Sequence, residues 1–278
     1  MKARLHRRTF HQTDLMYSAG MGPFEATPPA FVRLASHPVR WRLLSELARS
    51  DYRVRELVER TGQPQSLVSY HLRLLREGGL VVARRSSFDA RDSYHHLDLE
   101  RCAEALTATG LALHPSLRLD RTPPPTTGIA PPRRPSVLFA CTGNSARSPI
   151  AAALVGHLAG DRVEAASAGS HPKPRLHPHA VRVLRDDYGI DVSDQRPTHL
   201  DSTSHRSFDR VVSLCDRVRE VRRPEFRDPS RSIHWSIPDP AASGARYPAF
   251  RQVAADIETR VRPLLPTLTP IPDPEALP

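Results

Sequence analysis

The stretch FACTGNSARSPIAAALVGHL, from Phe139 to Leu158, joins a short apolar run to an alanine-rich helical pattern through a loop that begins at Cys141. Arg147 follows six residues after the cysteine. A helix predicted from Ser148 onward directs free N–H groups and the positive end of its dipole at the loop, and both stabilise negative charge there. Only the thiolate form of cysteine is a good nucleophile, and such surroundings favour it. The stretch therefore predicts an anion-binding strand–loop–helix built around a reactive cysteine.

The loop between the cysteine and the helix is suited to hold a tetrahedral oxyanion. Successive N–H groups of a tight loop converge on an anion, and Gly143 and Asn144 tolerate the left-handed backbone that such a loop requires. The guanidinium of Arg147 is a planar fork that matches two oxygens of the anion. We therefore predict Cys141 and Arg147 as catalytic residues. The predicted substrate-binding residues are Thr142, Gly143, Asn144, Ser145, Ala146 and Ser148, the last with a hydroxyl that donates to the thiolate.

Two other interpretations of this loop exist. A nucleotide-binding P-loop also joins a strand to a helix, but it requires the pattern G-x-x-x-x-G-K-[ST]. The stretch contains no lysine, so nucleotide hydrolysis is not expected. An ordinary strand–helix turn around a buried cysteine is the structural alternative.

Strand and helix patterns alternate through residues 135–268. Strands are predicted at 136–140, 163–169, 209–215 and 232–237. Helices are predicted at 148–159, 177–189 and 247–265. Alternation of this kind predicts an α/β domain with a mostly parallel sheet.

This second half resembles the low-molecular-weight protein tyrosine phosphatase fold, which also includes thiol-dependent arsenate reductases. Beside the cysteine loop, the resemblance rests on ASAGSHP, LHPHAVRVL, VVSLCD and WSIPDPA. It implies a nucleophilic Cys141, an oxyanion-binding Arg147 and a general acid in an Asp-Pro pair, here Asp239. A carboxylic acid on a late loop is chemically able to protonate the leaving group.

The resemblance leaves two chemistries open, and both begin with attack by Cys141. Cys215 matches the first resolving cysteine of the reductases and is the fourth predicted catalytic residue. The second resolving cysteine is missing, because residues 218–225 contain none. An external small thiol or a redoxin is therefore expected to complete arsenate reduction, with no bound cofactor. The alternatives are a tyrosine phosphatase, although Ala241-Ala242 replace the expected aromatic pair, and a non-catalytic phosphate or arsenate sensor that controls DNA binding.

The first half predicts a small helical domain that ends in a β-hairpin. Val68, Leu72 and Leu75 form one apolar stripe on a helix that begins after Pro64. A different face of that helix carries polar groups suited to the major groove of DNA. The predicted DNA-binding residues are Ser66, Ser69, Tyr70 and Arg73 on the helix, and Arg84 and Arg85 on the hairpin. A solvated polar face is the alternative.

The segments LASHPVRWRLLSELA, RVRELVERTGQPQSLVSYHLRLLREGGLVVARR and SYHHLDL resemble the ArsR/SmtB family of winged helix-turn-helix repressors. The resemblance implies a homodimer that presents two recognition helices to a double-stranded DNA operator, about 34–36 Å apart. Arsenic-sensing members carry a cysteine pair in the helix that reads RVRELVERTG here, and this chain has none. Cys102 is interpreted as a packing residue.

We therefore predict two domains: an N-terminal winged helix-turn-helix, mostly α with a β-hairpin, and a C-terminal α/β domain of the low-molecular-weight phosphatase type. The predicted boundaries are a disordered tail at 1–23, the winged helix at 24–113, a proline-rich linker at 114–134, the α/β domain at 135–268 and a tail at 269–278. The net charge is +10, but six of these charges fall in residues 1–22 and 113–135, so charge indicates nucleic acid only weakly.

Three cysteines, no signal-peptide pattern and no long apolar run predict a cytoplasmic protein without membrane contact. His171, His177 and His179 are interleaved with prolines, so no metal site is expected.

Overall fold

The computed structural model of the chain describes residues 27–114, 117, 134–221, 228, 230–242, 244 and 246–268. The predicted tails at 1–23 and 269–278, and nearly all of the predicted linker, lie outside these residues. Among the described residues, no helix is both long and apolar enough to cross a bilayer.

The N-terminal half is the predicted helical domain with a hairpin. Its elements are α1 (Ala30–Ala35), α2 (Pro38–Leu47), β1 (Tyr52–Arg53), α3 (Val54–Thr61), α4 (Gln65–Glu77), β2 (Val81–Arg85), β3 (Ser93–Leu97) and α5 (Leu99–Leu113). The strands form an antiparallel sheet in the order β1-β3-β2. The sequence pattern did not predict β1, because two residues are too few to show an alternation.

The helix-turn-helix owes its shape to Gly62 and to the apolar stripe of α4. Gly62 ends α3 in the left-handed conformation, with φ of 67°, which a glycine adopts without steric cost. Val68, Leu72 and Leu75 are at most 1% exposed, so the predicted buried stripe is confirmed. They pack in a core of their own with residues of α2 and α3.

The C-terminal half is an α/β domain with a four-stranded, fully parallel sheet, as predicted. Its elements are β4 (Ser136–Cys141), α6 (Arg147–Ala159), β5 (Glu164–Gly169), α7 (Pro178–Tyr188), β6 (Arg210–Ser213), α8 (Asp216–Glu220), β7 (Ser232–His234) and α9 (Tyr247–Leu268). The strand order is β5-β4-β6-β7. All six residues of β4 are buried, which is typical of a central parallel strand covered on both faces.

The strand order explains why the two predicted catalytic cysteines lie close together. The chain leaves β4 for β5 on one side and returns to β6 on the other, so the connections diverge at the carboxyl end of β4. Ligands bind at such a switch point in open α/β sheets. Cys141 is the last residue of β4, and Cys215 follows β6, whose Ser213 pairs with Ala140. The topology therefore brings the two cysteines to one edge of the sheet.

The two halves are joined by polar contacts beside β7. The Asp51 N–H donates to the His234 carbonyl at 2.8 Å, and the Ser236 N–H donates to the Asp51 carboxylate at 2.8 Å. Arg260 of α9 donates to both oxygens of the same carboxylate, at 3.0 and 3.1 Å. Asp51 is 3% exposed, so the junction is a buried ion pair between the halves.

Candidate active site

Cys141 lies at the floor of a strand–loop–helix, with its side chain bonded from two sides. The backbone N–H of Asn144 donates to its sulfur at 3.2 Å. The hydroxyl of Ser148, in the first turn of α6, lies 3.0 Å from the same sulfur. Both groups are able to donate to a thiolate, and the helix begins one residue earlier at Arg147. The sulfur therefore lies within hydrogen-bond reach of two donors at the start of a helix.

The carbonyl groups of the loop point away from the cysteine. The segment after β5 donates four backbone N–H groups to them at 2.8–3.1 Å, pairing Ser170 with Cys141, His171 with Thr142, Lys173 with Gly143 and His177 with Ser145. In a trans peptide the N–H points opposite to the carbonyl of the same peptide unit. The N–H groups that share a peptide unit with these carbonyls are therefore directed into the site, as that of Asn144 shows, and such an arrangement is suited to an anion.

Asn144 holds this loop in shape. Its φ of 44° lies in the left-handed region, and it is the one non-glycine residue with a positive φ among the described residues. Its side-chain amide donates to Ser148 at 2.9 Å and to Ser167 at 3.0 Å, and its oxygen accepts from the Thr198 N–H at 2.7 Å. Asn144 is 1% exposed. It was predicted to bind substrate through its backbone, and the structure adds that its side chain braces the loop.

Arg147 and Asp239 are paired at the wall of the site. The Arg147 guanidinium donates to the Ile237 carbonyl at 3.1 Å and to Asp239 Oδ2 at 3.0 Å. The Arg147 side chain is 6% exposed, whereas that of Asp239 is 43% exposed. The two contacts fix the direction of a buried cation, and the carboxylate retains access to solvent.

Cys215 lies behind the loop and is almost fully buried, with 2% of its surface exposed. Its sulfur is 3.3 Å from the hydroxyl of Thr142, the residue next to Cys141. Burial raises the pKa of the Cys215 thiol and the charge of Cys141 adds to this, whereas Arg147 and the Thr142 contact oppose it. The second thiol is therefore held protonated beside the loop of the first.

A cavity of about 370 Å³ opens above Cys141. The predicted site residues that line it are Cys141, Thr142, Gly143, Ser145, Ala146, Arg147 and Asp239. Asn144, Ser148 and Cys215 do not line it, and they contact the site from behind. His171, Lys173, Arg217 and Ala241 also line the cavity, and sequence reasoning did not assign them to it. The signal that was available is that Lys173 is one of only two lysines in the chain.

The residues predicted to bind DNA divide into two groups. Ser66, Ser69, Tyr70 and Arg73 are all exposed on α4, with the Arg73 guanidinium over the Tyr70 ring at 5.6 Å. Arg85 is also exposed. Arg84 instead contacts the C-terminal half, donating to the Ser236 carbonyl at 2.6 Å and lying 3.3 Å from the Asp256 carboxylate. In this arrangement its guanidinium is bound to protein, which sequence reasoning did not anticipate.

The structure also shows the surroundings of His171, His177 and Cys102. The described residues contain no group of three or more His, Cys, Asp or Glu side chains placed to hold a metal ion. His177 caps α7 and stacks on Phe250 with the ring centres 4.4 Å apart, while His171 lines the cavity. Cys102 is buried in the core of the N-terminal half, and burial raises the pKa of its thiol to about 11.

Two family models match the chain. Residues 136–270 match low molecular weight phosphotyrosine protein phosphatase, and residues 37–82 match bacterial regulatory protein, arsR family. An arsenate reductase of Brevibacillus brevis is 34% identical over 127 residues, which are 46% of this chain and 91% of that protein.

Two solved structures resemble the C-terminal half. One is an arsenate reductase of Archaeoglobus fulgidus, with 31% identity, a TM-score of 0.40, and coverage of 46% of this chain and 98% of that one. The other is a low molecular weight protein tyrosine phosphatase from T. tengcongensis, with 28% identity, a TM-score of 0.42, and coverage of 48% and 99%.

Proposed function

We propose that this chain, which belongs to the low molecular weight phosphotyrosine protein phosphatase family through its C-terminal half, is a cysteine-dependent arsenate reductase joined to an ArsR-type transcriptional regulator. The observation that carries the enzymatic part is the position of Cys215 beside the loop of Cys141. Hydrolysis of a phosphate ester needs one thiol, whereas reduction of arsenate needs a second thiol close to the first. The pairing of enzyme and regulator suits a role in arsenic resistance.

The first step is attack by the Cys141 thiolate on the arsenic atom of arsenate. The loop N–H groups and the Arg147 guanidinium hold the oxygens, which carry more charge in the transition state than in the free anion. A sulfur–arsenic bond forms while one arsenic–oxygen bond breaks. Asp239, 3.0 Å from Arg147 and open to the cavity, takes up a proton from solvent and delivers it to the departing oxygen, which leaves as water.

The second step is attack by Cys215 on the sulfur of Cys141. The disulfide forms as the sulfur–arsenic bond breaks, and its electron pair remains on arsenic, which leaves as arsenite. No third cysteine follows in the sequence, so an external thiol or redoxin reduces the disulfide.

The test is arsenate turnover with several thiol donors, comparing wild type with Cys141→Ser and Cys215→Ser. Both variants should lose turnover, and only Cys215→Ser should still form a covalent adduct at Cys141. Cys102→Ser is the matched control, since Cys102 is buried in the other half, and it should retain wild-type turnover. Turnover that survives Cys141→Ser would end the enzymatic proposal.

A phosphatase is the second candidate, because Cys141, Arg147 and Asp239 are sufficient for hydrolysis and line one cavity. Water activated by Asp239 would then replace Cys215 as the second nucleophile. Aryl phosphate hydrolysis that is unaffected by Cys215→Ser, in a protein that does not reduce arsenate, favours this candidate. Among the residues that the structure describes, no phenylalanine, tyrosine or tryptophan lines the cavity.

The N-terminal half is proposed to bind a double-stranded DNA operator as a homodimer in the cytoplasm. The polar face of α4 is exposed and available to the major groove. Helix α5 buries only Cys102 and exposes Leu99, Leu106, Leu111 and Leu113. An apolar helix left so open is suited to pair with a second copy. Sedimentation of the full chain measures the dimer, and a monomer at micromolar concentration would contradict it.

A further inference from the structure

The short helix α8 connects the second cysteine to the DNA-binding half. Cys215 is the residue immediately before α8. The first residue of α8, Asp216, accepts two hydrogen bonds from the β2–β3 hairpin, from the Ser87 N–H at 2.6 Å and from the Ser87 hydroxyl at 2.9 Å. Both bonds end on the same carboxylate oxygen. One residue of the hairpin thus holds the neighbour of Cys215.

The far end of α8 is held by the same half. Glu220 accepts from the Ser86 hydroxyl at 2.9 Å and from the Tyr94 hydroxyl at 3.2 Å. Arg53 lies 3.5 Å from its other oxygen. The N-terminal half therefore contacts both the first and the last residue of this five-residue helix.

Asp216 is also held from inside the C-terminal half. His234 Nε2 lies 3.2 Å from Asp216 Oδ1, and because an ionised carboxylate only accepts, the histidine donates. His234 is fully buried and Asp216 is 2% exposed. Burial opposes ionisation of Asp216, but the bonds from His234 and Ser87 prevail and lower its pKa to about 2. The anchor is thus a carboxylate that is charged throughout the physiological range.

We propose that Ser87, on the hairpin of the regulatory half, is a positioning residue for Cys215. By holding Asp216 it fixes the backbone from which the second thiol attacks the Cys141 sulfur. The inference rests on the proposed arsenate reduction, with the same bond changes and the same external thiol. It also makes the regulatory half part of the reductase site, so that a displacement of the hairpin changes the second chemical step.

Two measurements test this inference. The first is the single-turnover rate of disulfide formation after arsenate is mixed with the reduced full chain. The second is the rate at which iodoacetamide alkylates Cys215 and Cys141, read separately by peptide mass spectrometry. The variants are Ser87→Ala, which removes the hydroxyl and keeps the N–H, and Asp216→Asn, which removes the charge that both anchors require.

In Ser87→Ala, disulfide formation should slow about fivefold, which corresponds to about 1 kcal/mol. Alkylation of Cys215 should rise several-fold, and alkylation of Cys141 should stay within twofold of wild type. Asp216→Asn should show the larger effect. An asparagine amide has one accepting oxygen and one donating nitrogen, so it cannot accept hydrogen bonds from both Ser87 and His234. Ser87→Thr should restore the wild-type rates.

Ser45→Ala is the matched control, since Ser45 is exposed on α2 and its hydroxyl bonds within its own helix. Wild-type rates in both Ser87→Ala and Asp216→Asn would overturn the inference. Equal acceleration of alkylation at both cysteines would also overturn it, because it would indicate general loosening. The alkylation measurement does not involve arsenate. It therefore tests the role of Ser87 even if the wild-type protein does not reduce arsenate.

Discussion

One added methyl group at Gly169 should disable the site without touching a catalytic side chain. Gly169 ends β5, directly opposite Cys141 in the sheet. A Cβ at this position would lie 2.8 Å from the Asn144 Cβ and from the Thr142 carbonyl oxygen, and 2.9 Å from the Asn144 nitrogen. All three atoms belong to the anion-binding loop, and two are backbone.

The size of the effect follows from these distances. Carbon atoms that are not bonded pack at about 3.5–4.0 Å, so the loop at Asn144 must retreat by roughly 0.7 Å. Overpacking of this kind costs about 1–3 kcal/mol of folding stability. Because the retreat moves N–H groups that hold the oxyanion, kcat/KM for arsenate should fall about tenfold to a hundredfold in Gly169→Ala.

The assay is arsenate reduction with a saturating thiol donor, together with thermal unfolding followed by circular dichroism. Gly156→Ala is the control, because Gly156 lies within α6 and a Cβ there meets nothing within 4 Å. It should keep full activity and gain about 0.5–1 kcal/mol of stability. If Gly169→Ala folds normally and stays within twofold of wild-type kcat/KM, the account of a rigid cradle is wrong.

Three further predictions concern the other half and the junction. Asp51→Ala should lower the free energy of unfolding by about 3 kcal/mol in urea titrations, because buried Arg260 loses the Asp51 carboxylate and keeps the Asp256 carboxylate, 3.2 Å from its Nε; a loss below 1 kcal/mol would mean that water reaches Arg260. Burial, with help from Arg76, lowers the pKa of His95 to about 4, so the unfolded chain binds a proton first as pH falls. The free energy of unfolding should therefore fall as the pH is lowered from about 6.5 to 4. His95→Phe should reduce this fall by about 3 kcal/mol, and the same pH profile in the variant would contradict its assignment to His95. Arg73→Ala should relax DNA sequence preference by about 1–3 kcal/mol in anisotropy titrations against operator variants, and unchanged discrimination would place Arg73 outside the groove.

Much of the site could be predicted from local sequence. The cysteine loop, its arginine and the helix that follows are contiguous, so one stretch specifies the strand, the nest and the cation together. Asp239 was predicted from the resemblance alone, and the structure places it 3.0 Å from Arg147. His171 and Arg217 could not be predicted, because they reach the cavity only through the packing of two distant segments on the loop, and the only sequence signal for Lys173 is that lysine is rare in this chain.

The β2–β3 hairpin also makes contacts that local sequence could not predict. Its alternation and its arginines predict a strand pair near DNA, and nothing local indicates that Arg84 bonds to Asp256 or Ser87 to Asp216. These partners lie well over a hundred residues away in the chain. A serine and an arginine have the same local pattern whether they face water, DNA or another domain.

The sequence by itself predicted most of the element types, the apolar stripes, the strand–loop–helix around Cys141 and the division into a helix-turn-helix half and an α/β half. Periodicity and turn chemistry act over a few residues, so they can be read along the chain. Only the tertiary structure decided that Cys215 lies beside the loop of Cys141, and that the regulatory hairpin holds the helix after it. Strand order and domain packing create these contacts between residues that the sequence keeps far apart.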